Sequence, residues 1–120
     1  MAGEIVHWEL MGPDPARLAS FYGGLFGWNA QAVPDMDNYM LVDKSESGVG
    51  GAIGSGSVEM PSYQAIYVSV DDIDATLAQA EAAGGKTLMP RTVLPDVVIF
   101  ALFQDPAGNV IGLVEPGMAD

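Results

Sequence analysis

The chain contains no cysteine, one histidine and few basic residues. Without cysteine there is no disulfide framework, no thiolate metal site and no thiol nucleophile. Four lysine and arginine residues stand against sixteen aspartate and glutamate residues, which gives a formal net charge of −12 at pH 7. Such a charge repels phosphate backbones and anionic lipid surfaces. We therefore expect neither nucleic acid nor a membrane as a partner.

The chain also lacks a long apolar run. No stretch approaches the roughly 20 apolar residues that a membrane-spanning helix needs, and the N-terminus has no basic segment followed by an apolar one. A cytoplasmic protein is the expectation. With 120 residues and 49% apolar content, the chain can build one real core, which predicts a single domain over residues 1–120. The acidity keeps such a domain in solution, or attracts a cationic ligand.

The two halves of the sequence repeat one pattern of elements. In the first half an alternating segment from Ile5 to Met11 predicts a strand, and Asp14-Pro15 then has the form of a helix N-cap and first turn. In the second half a strand is predicted over 65–70, followed by Asp72 as N-cap and a helix over 73–83. Each helix is followed by β-rich sequence, so the pattern predicts a βαβββ unit used twice.

This repeat divides the domain into module one (1–56) and module two (63–120), with a Gly/Ser-rich linker over 54–62. The predicted fold class is α+β. In module two we expect a strand over 86–89, a loop over 90–96, and strands over 97–103 and 110–115.

Strand alternation predicts which side chains leave the helix-covered faces. Trp8 and Leu10 face the first helix, and Ile66, Val68 and Val70 face the second. We expect ordinary core packing for Trp8, Phe21, Tyr22 and Phe26. The other face then carries His7, Glu9, Met11, Ala65, Tyr67 and Ser69.

Four motifs carry a resemblance to a known family. They are FYGGLFGW at 21–28, YVSVDDI at 67–73, AAGG at 82–85 and DPAGN at 105–109. In this order they resemble the vicinal oxygen chelate superfamily, which includes glyoxalase I, bleomycin resistance proteins and extradiol dioxygenases. The resemblance covers essentially the whole chain. It implies two tandem βαβββ modules whose eight strands form an open, barrel-like cleft, and it implies a homodimer in which one chain or two chains build the cleft.

The resemblance also implies four metal-ligand positions on inner strands, usually His or Glu. They map to His7, Gly51, Ala65 and Gly112, and only the first has a donor atom. One imidazole does not make a durable divalent site in water, so no metal and no other cofactor is expected. A divalent metal held by His7 with help from Glu9 is the alternative.

The candidate catalytic residues are His7 and Glu9, because imidazole titrates near neutrality and a carboxylate on an apolar surface needs a partner. A relic or structural histidine is the competing interpretation. Six further residues are candidates for ligand binding, three by strand alternation and three because polar or aromatic groups suit a flat ligand. They are Met11, Tyr67 and Ser69, and Tyr39, Gln64 and Phe103. The sequence does not fix which face is occupied by Tyr39, Gln64, Phe103, Tyr63 or Trp28, and the last two are assigned no role.

Three functions compete at this point. The first is a metal-independent small-molecule binding protein of the bleomycin resistance type, whose ligand is oriented by His7, Glu9 and Tyr67. The second is a metal-free enzyme, a lyase or isomerase, in which His7 and Glu9 move a proton on a small metabolite. The third is a divalent-metal lyase or dioxygenase with a reduced ligand set. The identity of the ligand is not encoded in any motif.

Overall fold

The structure is a computed structural model that describes residues 3–34, 36–44 and 48–116. The chain divides into two compact units. The N-terminal unit comprises His7–Gln64, and the C-terminal unit comprises the residues up to Val6 together with those from Ala65 onward. Among the described helices none is long and apolar enough to cross a bilayer.

The N-terminal unit has a sheet in the order β2-β3-β4-β1 and one helix. Strand β1 runs parallel to β4, and the other neighbouring pairs are antiparallel. Ile5 and Val6, at the start of β1, group with the C-terminal unit. The elements are β1 (Ile5–Gly12), α1 (Pro15–Phe26), β2 (Ala30–Val33), β3 (Met36–Val42) and β4 (Gly51–Ser55).

Helix α1 begins where the sequence predicts. The Asp14 carboxylate accepts a hydrogen bond from the Arg17 N–H at 3.2 Å, and Pro15 occupies the first turn. Gly27 ends the helix in the left-handed conformation, with φ of 74°. Beneath the helix, the Trp8 ring lies 5.0 Å from the Trp28 ring. The predicted packing of Trp8 on the helix side is thus confirmed.

The C-terminal unit repeats this arrangement with the order β5-β8-β7-β6, β5 and β8 being parallel. Its core is formed by Ile73, Leu77, Ile99, Ala101 and Leu113, against which Val68, Val70 and Phe103 pack. Strand β5 begins at Tyr63 and Gln64, which group with the N-terminal unit. The elements are β5 (Tyr63–Ser69), α2 (Ile73–Ala82), β6 (Lys86–Leu94), β7 (Val98–Gln104) and β8 (Val110–Glu115).

Helix α2 is held at its N-terminus by two carboxylates. Asp72 caps it, accepting from the Ala75 N–H at 3.1 Å. Glu115, at the end of β8, accepts from the Ile73 N–H at 2.7 Å and pairs with Arg91 at 3.0 Å. Negative charge is favourable at a helix N-terminus, so these contacts fasten the helix to its sheet.

The predicted loop over 90–96 is wrong in most of its length, because β6 continues to Leu94. Pro90 and Arg91 lie between the pairs Met89↔Leu102 and Thr92↔Phe100, where the register shifts. Proline is tolerated at a bulge on a strand with one neighbour, because no hydrogen bond to another strand depends on the N–H that proline lacks.

The expected core packing of α1 is also wrong in part. Phe21 is 57% exposed and Leu25 and Phe26 are each 60% exposed. Tyr22 is half-buried, and its ring stacks 5.6 Å from the Trp28 ring. Only one side of the apolar helix therefore packs on its sheet, and the other side presents large apolar groups to solvent.

Candidate functional site

The candidate site lies on the face of β1 opposite to helix α1. Trp8 packs on the helix side, and alternation along the strand therefore places His7, Glu9 and Met11 on the other side. Glu9 is only 6% exposed and is the one charged residue in the buried set of the described chain. A buried carboxylate is stable only when hydrogen bonds or charges compensate for its lost hydration.

Tyr39 of β3 joins the two candidate residues of β1. Its hydroxyl donates to Oε2 of Glu9 at 2.5 Å and lies 2.9 Å from Nε2 of His7. A phenol has one hydrogen to donate. Because that hydrogen goes to Glu9, we assign the second contact as Nε2–H of His7 donating to the phenol oxygen. The three side chains then form one hydrogen-bonded chain, from imidazole through phenol to carboxylate.

The electrostatics of the site follow from burial next to a carboxylate. Burial raises the pKa of the Tyr39 phenol, and the neighbouring Glu9 raises it further. Burial, and then Glu9, raise the pKa of Tyr63 to about 12. Burial lowers the pKa of His7 below its ordinary value of 6.5. Both phenols therefore remain protonated at neutral pH, and the imidazole is neutral.

Tyr63 is the residue that the sequence reasoning left unassigned. Its pKa responds to Glu9, which places the two groups within electrostatic reach in the N-terminal unit. The available signal was strand alternation, since Tyr63 has the same parity as Ala65 and Tyr67 in β5.

The other predicted ligand residues are distributed over both units. Met11 lies on the His7 and Glu9 face, level with Gly54 of β4. Gln64 is exposed and alternates to the side of β5 opposite Tyr67. Tyr67 and Ser69 share one face of the C-terminal unit, where Tyr67 is 6% exposed. Their ligand-binding roles stay predictions.

Phe103 lies away from the Tyr67 face. It packs against the core cluster around Ile73 and Leu77, on the α2 side of its sheet. Strand pairing explains this, because Phe103 pairs with Ile111, whereas its neighbour Leu102 pairs with Gly112, on the Tyr67 face. Phe103 is partly buried and packs on the helix side of its sheet, and its ligand-binding role stays a prediction.

One of the four mapped metal positions also lies on the wrong face. A Cβ added to Gly51 would meet the Trp8 ring at 2.0 Å, so Gly51 faces the helix side. The β4 residue that pairs with Glu9 is Ala52. The mapping was one residue off, and a shift of one residue in a strand reverses the face.

The donor set does not fit the divalent metal that the resemblance implies. Ala52, Ala65 and Gly112 offer no donor atom. Within residues 3–34, 36–44 and 48–116, no group of three His, Cys, Asp or Glu side chains lies close enough to hold a metal ion. We therefore derive no chemistry through a metal.

A family model described as the Glyoxalase/Bleomycin resistance protein/Dioxygenase superfamily matches residues 4–113. The chain belongs to this superfamily. The resemblance found in the motifs is thereby confirmed. A member of the glyoxalase superfamily need not share its relatives' reactions, since function resides in the site and not in the fold.

Two curated relatives of this superfamily member are about equally similar to it. One is a Mycobacterium tuberculosis protein named as a candidate glyoxylase, CFP32, with 29% identity over 95% of this chain and 44% of the relative. The other is the anthracycline biosynthesis protein DnrV of Streptomyces peucetius, with 29% identity over 93% of this chain and 46% of the relative. The chain thus spans about half the length of these relatives.

A solved structure supports the fold. The methylmalonyl-CoA epimerase of Mycobacterium tuberculosis superposes with a TM-score of 0.64 and 16% identity, over 96% of this chain and 88% of the epimerase. At that identity the likeness concerns the fold alone. The predicted α+β fold of the glyoxalase superfamily is confirmed.

The lowered pKa of His7 predicts a loss of stability in mild acid. Between the folded pKa and the unfolded value near 6.5, the unfolded chain binds more protons than the folded one, so stability falls as the pH falls through this window. As the pH falls, the free energy of unfolding of the native protein should decrease more than that of His7→Gln. The extra decrease should be less than about 1.4 kcal/mol per pH unit. Urea denaturation at pH 7.5 and pH 5.5 measures the difference.

The variant is a clean control because His7 is the single histidine in the chain. Carboxylates titrate in both proteins and cancel in the comparison. Equal pH dependence in the two proteins would contradict the lowered pKa.

Proposed function

We propose that this chain is a metal-independent small-molecule binding protein, and that the His7–Tyr39–Glu9 chain anchors its ligand. The observation that carries the proposal is a carboxylate that is 6% exposed yet fixed by a 2.5 Å hydrogen bond from a tyrosine. Charge-assisted hydrogen bonds of this kind hold their groups in one geometry. A fixed acceptor and donor set selects ligands by shape and polarity.

The surroundings of the polar chain support a binding role. Met11, Ala52 and Leu41 share the face of Glu9, as the pairs Glu9↔Ala52 and Leu41↔Ala52 show. Ligand sites combine apolar walls with a few polar groups in fixed positions. Tyr39 and Tyr63 add aromatic area, which favours a flat or aromatic ligand.

The name of one relative suggests a probe. DnrV is named as an anthracycline biosynthesis protein, and anthracyclines are flat, polyhydroxylated aromatic ketones. Such a compound can stack on phenol rings and exchange hydrogen bonds with a carboxylate and an imidazole. Doxorubicin is fluorescent, so its binding is measured directly.

We predict that the fluorescence of doxorubicin is quenched when it binds to the native protein. The affinity should be the same before and after the protein is treated with EDTA. Glu9→Gln should weaken binding about tenfold or more, because hydrogen bonds to charged groups contribute about 1.5–3 kcal/mol. Fluorescence titration gives the dissociation constants.

Tyr22→Phe is the matched control, since it removes a tyrosine hydroxyl from α1 and should leave the affinity unchanged. An affinity that is lost with EDTA, or one that is equal in Glu9→Gln and the native protein, would refute a metal-independent site at Glu9.

Proton transfer on the ligand is a second candidate function, and one observation favours it. The neutral imidazole of His7 is connected to the Glu9 carboxylate through the Tyr39 hydroxyl, with contacts of 2.9 and 2.5 Å. A neutral imidazole has a free nitrogen lone pair and can act as a general base. Such a group can remove a proton from carbon next to a carbonyl.

Deuterium exchange separates the two functions. If the site moves protons, doxorubicin bound in D₂O should gain deuterium at carbon next to its ketone, and His7→Gln should lose most of that rate while keeping the affinity. Mass spectrometry of the recovered compound measures the exchange. Recovery without deuterium assigns the protein to binding alone.

We also propose that the chain pairs with a second copy through the α1 face, defined as Phe21, Leu25 and Phe26. These side chains are 57–60% exposed, whereas helix α1 carries no acidic residue in a chain of net charge −12. Interface cores are rich in aromatic residues and poor in charge. Relatives about twice as long have room for a second unit of this size.

Replacing Phe26 by Glu should convert a dimer into a monomer, because a carboxylate at the centre of an apolar interface loses its hydration. Light scattering coupled to size-exclusion chromatography gives the mass. Val58→Glu is the control, since Val58 is 96% exposed outside α1. A native protein that is monomeric, or a dimer that persists in Phe26→Glu, would exclude the α1 face as the interface.

A further inference from the structure

The Tyr39 ring must cross an intervening strand to reach its partners. In the order β2-β3-β4-β1, β4 separates the strand of Tyr39 from the strand of His7 and Glu9. Neighbouring strands lie about 4.8 Å apart, so β3 and β1 are separated by about 10 Å, and the Tyr39 side chain extends over β4 to meet the side chains from β1. The size of the β4 side chains on this face decides whether there is space for the Tyr39 ring.

The β4 residues beneath the Tyr39 ring are a glycine and an alanine, the two smallest amino acids. Gly54 is the pairing partner of Tyr39 in β3 and of Met11 in β1. Ala52, two residues earlier on the same face, pairs with Glu9 and is fully buried. A Cβ added to Gly54 would lie 2.9 Å from Cδ1 of Tyr39 and 3.0 Å from Cε of Met11. Any side chain at position 54 would therefore push on the ring.

The backbone before Tyr39 is also unusual. Asn38 has φ of 59° inside β3, a left-handed conformation that asparagine tolerates better than most residues. The register of β2 against β3 jumps there, from Ala32↔Met40 to Val33↔Met36. The jump leaves residues 37–39 without partners in β2, and bulges of this kind redirect side chains next to functional sites. The carbonyl oxygen of Asn38 also lies 3.1 Å from the position of a Gly54 Cβ.

We propose that Gly54 and the left-handed Asn38 are positioning residues that hold the Tyr39 hydroxyl between His7 and Glu9. Gly54 leaves the space in which the ring lies, and the bulge at Asn38 aims the ring across β4. The assignment deepens the proposed function, since it names what builds the anchoring chain. Its test needs no ligand, so it can fail or succeed independently of ligand binding.

The single histidine of the chain provides the measurement. In the native protein the ¹⁵N spectrum of the imidazole should show the neutral tautomer with hydrogen on Nε2 and a slowly exchanging N–H. Gly54→Ala and Asn38→Val should each abolish that slowly exchanging signal, because the hydroxyl moves away from Nε2. Asn38→Gly should retain it, since glycine adopts positive φ without strain.

Two matched controls separate positioning from general disturbance. Gly24→Ala adds a methyl in α1 where no atom lies within 4 Å. Asp96→Val replaces the other left-handed residue of the described chain that is not glycine, with φ of 62°, in the C-terminal unit. Both should preserve the native histidine spectrum. Folded Gly54→Ala and Asn38→Val proteins with that same spectrum would overturn the assignment.

A double-mutant cycle covers the case in which a variant folds poorly. If Gly54→Ala acts through the ring, its loss of thermal stability should shrink when Tyr39 is already alanine. An equal loss in both backgrounds would show that Gly54 serves the strand and not the tyrosine, and would overturn the assignment as well.

Discussion

The site depends on how the Glu9 carboxylate is kept inside the protein. A carboxylate removed from water loses hydration worth several kcal/mol, and hydrogen bonds within the protein must compensate for that loss. Tyr39 supplies such a bond at 2.5 Å. The hydroxyl in turn fixes the hydrogen of His7 on Nε2, so the state of the imidazole is set by a residue two strands away. Disturbing the phenol changes both partners at once.

Local patterns in the sequence were sufficient for the β1 half of this site. Alternation from Ile5 to Met11 placed His7 and Glu9 together, because Trp8 between them carries the large apolar ring. The equivalent caps Asp14 and Asp72 set the helices. These inferences hold because strand parity and capping depend on a few neighbouring residues. The repeated α+β fold followed from the same local signals.

The rest depended on the pairing of distant strands, which a single sequence does not contain. The bulge before Tyr39 sets which way that ring faces, so its partners could not be foreseen. The mapping to Gly51 was off by one residue and therefore chose the wrong face. A loop was predicted from residue 90, although Pro90 lies at a bulge within β6 where no ladder bond is lost. In each case a contact distant in sequence overrode a local rule.

The small residues of β4 leave the space that the Tyr39 ring occupies. The resemblance implies a metal-ligand side chain on this strand, but such a side chain at Gly54 would need the space that the Tyr39 ring occupies. A side chain at position 54 and the Tyr39 ring over β4 are therefore sterically exclusive. Where a cation would neutralise Glu9 directly, a neutral hydroxyl donates to it instead.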